Sequence, residues 1–212
     1  MRAERHLDPA KRVAELEREL RVQRALVAIA DAANRSDDLG SFYPIVHEAL
    51  RPLTHATNCY IALYDDARQA INFPYYVDEL DDDLPDPLLW EPFGVGDAAG
   101  TTAYLLRTGV PQLITPERFR ELAAAGEAAE LGVIGKGEWL GVPLIAEGRT
   151  IGALVVQTYT MEKRYTPDDV ALMTVVGCVP LLHGVGLDHE CADRPAVRDQ
   201  GHAKPLALPD DP

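Results

Sequence analysis

The chain has 212 residues, 47% of them hydrophobic, which is enough apolar material for one globular core. Its formal net charge of −14 argues against nucleic acid and anionic membrane surfaces as partners, because both would repel it. The charged N-terminus does not read as a signal peptide, and no apolar run reaches the roughly 18 residues of a membrane span, so we expect a cytoplasmic location.

The N-terminal segment predicts a long helix with two apolar stripes. Asp8-Pro9 suits its start, because Asp is a favoured N-cap and Pro a favoured first residue. A heptad seam with one polar break comprises Val13, Leu16, Leu20, Gln23, Val27 and Ala30. A second stripe begins halfway along and comprises Val22, Leu26, Ile29 and Ala33. We expect the seam to form a parallel homodimer and the second stripe to dock on the chain's own domain. An ordinary amphipathic helix packed on one core is the alternative.

Two apolar runs, residues 139–146 and 149–159, flank Glu147-Gly148 and predict a β-hairpin, with Gly148 in a left-handed conformation beside a bulge as one turn geometry. The second run has two apolar faces, with Ile151, Ala153 and Val155 on one and Leu154 and Val156 on the other. A strand with one wet face would alternate more clearly. We therefore expect helices on one side of the sheet and a functional layer on the other.

The remaining segments predict an alternation of short helices and strands. Residues 58–64 and 71–77 read as two strands, and residues 110–114 as another. Ser41 is expected to cap the second helix, Thr101 and Thr102 the helix over residues 103–107, and Thr166 the last helix. Pro180 should end that last helix, and the composition after it predicts a disordered tail over residues 188–212.

Several polar features have no convincing catalytic or metal-binding pattern. The carboxylates of residues 78–87 lack the spacing of a calcium loop and read as a solvated loop. The glycines of residues 94–100 are not followed by the lysine of a phosphate loop. His47 and His55 read as surface or hydrogen-bonded histidines. The three cysteines have no metal-type spacing and read as reduced thiols; no cofactor is identified.

Several ordered phrases resemble bacterial GAF domains, especially those that precede diguanylate cyclases or histidine kinases. They are Tyr60-Ile-Ala-Leu-Tyr64, Ala103-Tyr-Leu-Leu-Arg-Thr-Gly-Val-Pro111, Trp139-Leu-Gly-Val-Pro-Leu144, Ile151-Gly-Ala-Leu-Val-Val156 and Tyr165-Thr-Pro-Asp-Asp169. The resemblance implies an α+β fold, with a central antiparallel sheet, terminal helices on one face and a ligand pocket on the other. We divide the chain into the coiled-coil-like helix, residues 1–24, the GAF domain, residues 25–187, and the tail.

The resemblance also implies a sensory, non-enzymatic function: a small molecule binds in the pocket and a separate signalling output protein responds. The expected ligand-binding residues are Tyr76, Trp90, Thr101, Thr102, Tyr104 and Trp139. Their aromatic rings suit an aromatic or heterocyclic ligand, and the acidic excess favours one with little net charge.

Two other functions remain open. The first is a dimerisation scaffold with a filled pocket, or a truncated remnant of a larger signalling protein. The second is the free methionine sulfoxide reductase activity of one GAF subgroup, which uses clustered cysteines. Cys59, Cys178 and Cys191 lie far apart in this sequence and form no cluster, which disfavours the reductase.

Overall fold

A single antiparallel sheet of six strands organises the chain. The computed structural model describes residues 9–35, 39–82, 84–96, 100–128, 137–146 and 148–178. The strands are β1 (Asn58–Asp65), β2 (Ala70–Val77), β3 (Trp90–Pro92), β4 (Gln112–Ile114), β5 (Trp139–Ala146) and β6 (Arg149–Gln157). Their order is β3-β2-β1-β6-β5-β4, so β1 and β6 lie at the centre. Of these, β3 is the strand that the apolar pattern did not predict; it has three residues, all exposed.

Five helices accompany the sheet in the described ranges. They are α1 (Pro9–Arg35), α2 (Leu39–Leu50), α3 (Thr101–Thr108), α4 (Pro116–Ala124) and α5 (Pro167–Gly177). The predicted order of elements is confirmed, and so is the cap at Thr166, whose hydroxyl accepts from the Asp169 amide. Two predicted N-caps were wrong. Ser41 lies inside α2, and the N-cap of α3 is Gly100 rather than Thr101 or Thr102. None of these helices combines the length and apolar character needed to span a membrane.

The first face of the sheet packs against the terminal helices. Ile29 of α1, Phe42 and Val46 of α2, and Val170 and Met173 of α5 are all fully buried there. The strands contribute the alternate side chains Cys59, Ile61, Leu140, Val142, Leu154 and Val156. This layer is the main hydrophobic core, and it matches the expectation that helices cover one side of the sheet.

The helix α1 uses its two stripes differently. Val22, Leu26 and Ala33 of the second stripe pack against the main core together with buried Ile29, as expected. The heptad seam instead faces outward: Val13, Leu16, Leu20 and Val27 are between 46% and 61% exposed. Arg18 reaches the start of α5, with its Nη1 3.0 Å from the Asp168 carboxylate. The seam is therefore an unpartnered apolar stripe in the single chain.

The second face of the sheet is covered by α3 and α4. Leu105 and Leu106 of α3 and Phe119 and Leu122 of α4 pack over a cluster that includes Ala153 and Val155 of β6. The hairpin is therefore covered on both sides, as its composition predicted. Residues 97–99 and 129–136 lie outside the described residues, and so do Pro180 and the predicted tail.

Two β-bulges decide which face some side chains occupy. In β6 the register shifts opposite Leu144 and Ile145, and Ile151 packs against the first-face core rather than beside Ala153. The predicted alternation was wrong there, because a bulge adds a residue and breaks the period of two. Gly148 in the turn has a φ of 72°, the left-handed conformation that was expected beside a bulge.

A second bulge lies in β2 at Phe73-Pro74, where Ile61 pairs with Tyr75 and Leu63 pairs with Asn72. Proline has no N–H to donate to a ladder and is common at such positions. As a result Phe73 and Tyr76 both join the second-face cluster, while Tyr75 packs on the first. The aromatic composition of the second face thus depends on this irregularity.

Candidate functional site

Tyr60 of β1 is the centre of a polar aromatic group on the second face of the sheet. Its buried hydroxyl lies 2.8 Å from the Thr102 hydroxyl on α3 and accepts a hydrogen bond from the Trp139 indole on β5 at 3.0 Å. Burial raises the pKa of the Tyr60 phenol, and the two hydrogen bonds partly oppose this shift. One neutral hydroxyl therefore connects two strands and a covering helix.

The ring of Tyr60 stacks on Tyr76, with centroids 5.0 Å apart and an interplanar angle of 7°. Phe73 meets both rings edge-on, at 5.8 Å from Tyr60 and 6.1 Å from Tyr76. Burial raises the pKa of Tyr76 to about 12, with Asp78 and Asp81 adding to the shift. No hydrogen bond of the Tyr76 hydroxyl is found within the described ranges, and the side chain is only half-buried. This group is called the Tyr60 cluster below: Tyr60, Phe73, Tyr76, Thr102 and Trp139.

The Trp139 indole lies directly over Gly141, two residues along the same strand. A Cβ at Gly141 would stand 2.2 Å from Trp139 Cη2 and 2.7 Å from Leu105 Cδ1. Real Cβ atoms do not approach other atoms so closely, so the position has room only for glycine. The absence of a side chain at Gly141 is what allows the indole to reach the Tyr60 hydroxyl.

The structure brings together three of the six predicted site residues: Tyr76, Thr102 and Trp139. Tyr104 lies nearby on α3, packs against the second-face cluster and accepts a weak hydrogen bond from Arg118 at 3.4 Å. Thr101 is the first residue of α3 and is half-buried. Trp90 lies in edge strand β3, is 40% exposed and makes no ring contact with the Tyr60 cluster. Trp90 therefore stands apart from the other predicted positions.

Sequence analysis missed Tyr60, the residue that joins the others. The available signal was its hydroxyl within an otherwise apolar strand, because a buried tyrosine needs a hydrogen-bond partner. Which partner it finds depends on residues 42 and 79 positions away along the chain.

An acidic network borders the cluster where β2 and β6 end. Asp78 accepts hydrogen bonds from the Tyr159 hydroxyl at 2.5 Å and the Gln157 amide at 2.8 Å. Its other carboxylate oxygen accepts from the backbone N–H groups of Leu80 and Asp81. The acidic segment is thus partly a structured turn. No three His, Cys, Asp or Glu side chains group as a metal site within the part of the chain that the structure describes.

Two arginines on this face, Arg107 and Arg118, are paired with carboxylates in the part of the chain that the structure describes. Arg107 of α3 lies 2.7 Å from a Glu127 oxygen and also donates to the Val95 carbonyl. Arg118 of α4 lies 2.8 Å from Glu121. With acidic groups at one border and paired arginines at the other, an anion next to the cluster would be disfavoured.

The cysteines do not form a reactive centre in the described ranges. Cys59 is buried in the first-face core, on the opposite side of the sheet from the Tyr60 cluster, and burial raises its pKa to about 12. A thiol with such a pKa is a poor nucleophile at neutral pH. Cys178 is disulfide-bonded, which corrects the expectation of three reduced thiols; its partner lies outside the described residues.

His47 is a satisfied core histidine, one of the two expected outcomes. Its Nε2 lies 2.5 Å from the Ala56 carbonyl and its Nδ1 lies 2.7 Å from the Tyr75 hydroxyl. The carbonyl can only accept, so Nε2 carries a proton and donates to it. The histidine joins α2 to the sheet on the first face. His55 is exposed.

Comparisons with known proteins agree on one fold. A family model described as GAF domain matches residues 36–177. No protein of curated function matches the chain. Among solved structures, the GAF domain of an Acinetobacter phosphoenolpyruvate-protein phosphotransferase has a TM-score of 0.56 at 15% identity, covering 74% of this chain and 88% of that one.

Two further solved structures are similar to the same degree. A methyl-accepting chemotaxis protein, residues 122 to 287, has a TM-score of 0.54 at 16% identity, with coverage of 70% of this chain and 90% of that chain. A free methionine-R-sulfoxide reductase from Neisseria meningitidis, in complex with its substrate, has a TM-score of 0.55 at 14% identity. The match covers 74% of this chain and 84% of that chain. Identities this low establish the fold and leave the chemistry to the residues themselves.

Proposed function

The chain belongs to the GAF domain family, and on that basis we propose that it is a cytoplasmic, non-enzymatic sensory module. In this proposal the Tyr60 cluster binds a small molecule, α1 forms a homodimer, and a separate output protein responds. The chemotaxis protein among the structural neighbours is consistent with a signalling context. The proposal depends on one observation above all: the sheet face opposite the terminal helices carries polar aromatic side chains where a plain core would carry aliphatic ones.

The cluster indicates the chemistry of its ligand. Tyr76 offers a half-buried ring face and a hydroxyl with no partner within the described ranges. Thr102 adds a second hydroxyl, and Trp139 adds flat apolar surface, since its N–H is donated to Tyr60. Such a set suits a small planar ring with one or two polar substituents. The neighbouring carboxylate of Asp78 disfavours an anionic substituent at that end.

A dimerisation scaffold with a filled pocket is the second candidate, and one observation favours it. The Tyr60 hydroxyl already has two partners from within the protein, so part of the cluster is satisfied without a ligand. In a scaffold, Trp139 would be a permanent core residue and no small molecule would stabilise the fold.

A ligand screen monitored by thermal unfolding distinguishes these two candidates. We would test nucleotides, haem, amino acids and aromatic metabolites. A ligand at a hundred times its Kd should stabilise the folded chain by about 2.7 kcal/mol. If no compound raises the midpoint temperature of unfolding, the chain is better described as a dimerisation scaffold.

The two tryptophans then locate any ligand that is found. In Trp90→Phe the sole indole is Trp139 in the cluster, and its emission should change on binding. Trp139→Phe is the matched control, because the remaining Trp90 lies on the edge strand away from the cluster. A change in emission from Trp90 alone would place the ligand elsewhere on the surface.

Parallel dimerisation through α1 is supported by the charges beside the seam. With Val13, Leu20 and Val27 at heptad position a, Arg12 and Glu19 occupy position g. In a parallel pair, a g residue faces the e residue five positions later on the other helix. Arg12 then faces Glu17 of the second copy, and Glu19 faces Arg24, so both contacts join opposite charges. These exposed pairs would contribute orientation more than stability.

Reductase activity is disfavoured by the position of Cys59. The neighbour from Neisseria meningitidis is a free methionine-R-sulfoxide reductase, yet in this chain the buried thiol faces the helix layer rather than the candidate pocket. A colorimetric assay with free methionine-R-sulfoxide and a dithiol reductant tests this directly. Turnover that disappears in Cys59→Ala would contradict the non-enzymatic assignment.

A further inference from the structure

Three consecutive large apolar residues are exposed immediately before and at the start of β3. Leu88 is 88% exposed, Leu89 51% and Trp90 40%. Single exposed apolar side chains are ordinary, but an exposed run of three is unfavourable in water unless it has a partner. These residues, called the Leu88 patch here, lie on the edge of the sheet beyond β2.

The protein holds this patch outward with dedicated hydrogen bonds. Asn72 of β2 is buried, and its side-chain amide donates to the carbonyls of Pro87 at 3.0 Å and Leu89 at 2.6 Å. The Asp86 carboxylate accepts from the Leu88 amide at 2.9 Å, and its carbonyl accepts from the Leu89 amide. A buried asparagine side chain that donates twice to this turn fixes its backbone and indicates that the exposed arrangement is a built feature. It also lowers the entropic cost of docking a partner there.

The chain segment that contains the patch carries one sign of charge. No Lys, Arg or His occurs between Arg68 and Arg107. The same stretch contains Asp78, Glu79, Asp81, Asp82, Asp83, Asp86, Glu91 and Asp97. Asp86 and Glu91 flank the patch directly, and an apolar patch with this acidic surround is complementary to a segment that presents apolar residues flanked by Lys and Arg.

We propose that the Leu88 patch is the docking site for a basic amphipathic helix of another protein. A helix fits better than an added strand, because Pro92 lacks an N–H for a ladder and β3 has only three residues. The chain's own residues 188–212 are a poor match, since they contain six acidic and three basic residues. The acidic surround also repels anionic lipid. The inference does not depend on whether the Tyr60 cluster binds a ligand.

A labelled model peptide tests the site on the full chain. The probe is a helical peptide with leucine on one face and lysine on the other, followed by fluorescence anisotropy at physiological salt. Its comparison peptide has glutamate at each lysine position. We compare wild type with the double variant Leu88→Ser, Leu89→Ser. The matched control is Met161→Ser, which removes a 44%-exposed apolar side chain on the loop after β6.

We expect the lysine peptide to bind wild type and Met161→Ser equally, and the double variant to bind about tenfold more weakly. The glutamate peptide should not bind. Asp82→Asn with Glu91→Gln should weaken binding and reduce its salt dependence. Circular dichroism of each variant checks that the fold is unchanged, as expected for exposed positions.

Three results would overturn the proposal. One is equal affinity of the lysine peptide for wild type and the double variant, or no binding at all. Another is a lower molar mass of the double variant in light scattering without peptide, which would assign the patch to a second copy of the chain. The third is wild-type binding to neutral phosphatidylcholine vesicles that the double variant loses, which would assign it to a membrane.

Discussion

At the scale of single residues, Trp139 and Gly141 act as one packing unit. The indole occupies the space that a side chain at position 141 would need. It therefore reaches from β5 across β6 to the Tyr60 hydroxyl on β1. A glycine in the middle of a strand normally weakens it. Here the glycine is required by a specific contact on the second face.

Gly141→Ala should displace the indole and destabilise the fold by about 1–3 kcal/mol, the usual cost of overpacking a core. Urea denaturation measures the free energy of unfolding. Gly96→Ala is the matched control, because an added Cβ there meets nothing within 4 Å. Equal stability of the two variants would show that the indole can move at no cost.

Tyr60→Phe removes the hydroxyl on which the cluster depends. The Trp139 N–H and the Thr102 hydroxyl would each lose a partner, which should cost about 1–3 kcal/mol of unfolding free energy. Tyr64→Phe is the control on the same strand, because its hydroxyl is exposed and its hydrogen bond to Asp66 is long, at 3.4 Å. If both variants lose the same small amount, the buried hydrogen bonds contribute little.

At the scale of elements, α1 combines a docked stripe with an exposed one. Leu16 and Leu20 of the seam are the largest apolar side chains on its free N-terminal half. Burying this seam between two copies would remove apolar area from water without disturbing the contacts of Val22 and Leu26 with the core.

Leu16→Asp with Leu20→Asp should yield monomers, because carboxylates would face each other across the seam. Light scattering should give about half the molar mass of the dimeric wild type. Ala28→Asp introduces the same charge at an exposed position of α1 outside both stripes and should stay dimeric. An unchanged mass for the double variant would contradict dimerisation through the seam.

At the scale of the whole molecule, buried phenols and a buried thiol make stability sensitive to alkali. Burial raises the pKa of Cys59 from 9.0 to about 12, and it also raises the pKa of Tyr60 and Tyr165. Because these groups keep their protons longer in the folded chain, their contribution is complete below the unfolded pKa and is lost as pH rises toward the folded value.

The unfolding free energy should therefore fall as the pH rises above about 9, where the unfolded thiol ionises. Urea denaturation at a series of alkaline pH values measures the slope. In Cys59→Ala the decline should be shallower, because one of the linked protons is absent. The comparison uses the slope of the unfolding free energy against pH. The destabilisation caused by the smaller alanine side chain is the same at every pH, so it does not affect this slope. Equal slopes would show that the Cys59 thiol is not linked to unfolding.

The sequence by itself determined the order of elements, the two covered faces of the hairpin and the two stripes of α1. These features follow from local periodicity, which a helix or strand imposes over a few residues. The resemblance to GAF domains also predicted Tyr76, Thr102 and Trp139 as ligand-binding residues. The acidic stretch around β3 was visible as composition, although the strand itself was too short to recognise.

Only the tertiary structure decided which side chains meet. Tyr60 joins Trp139 across 79 residues, Ile151 changes face at a bulge, and Trp90 lies on an edge away from the cluster. Each outcome depends on strand register and on contacts between distant segments, and a shift of one residue exchanges the two faces of a strand. The pattern along one strand does not say which residue of a distant strand lies opposite it, so the site had to be read from the packed sheet.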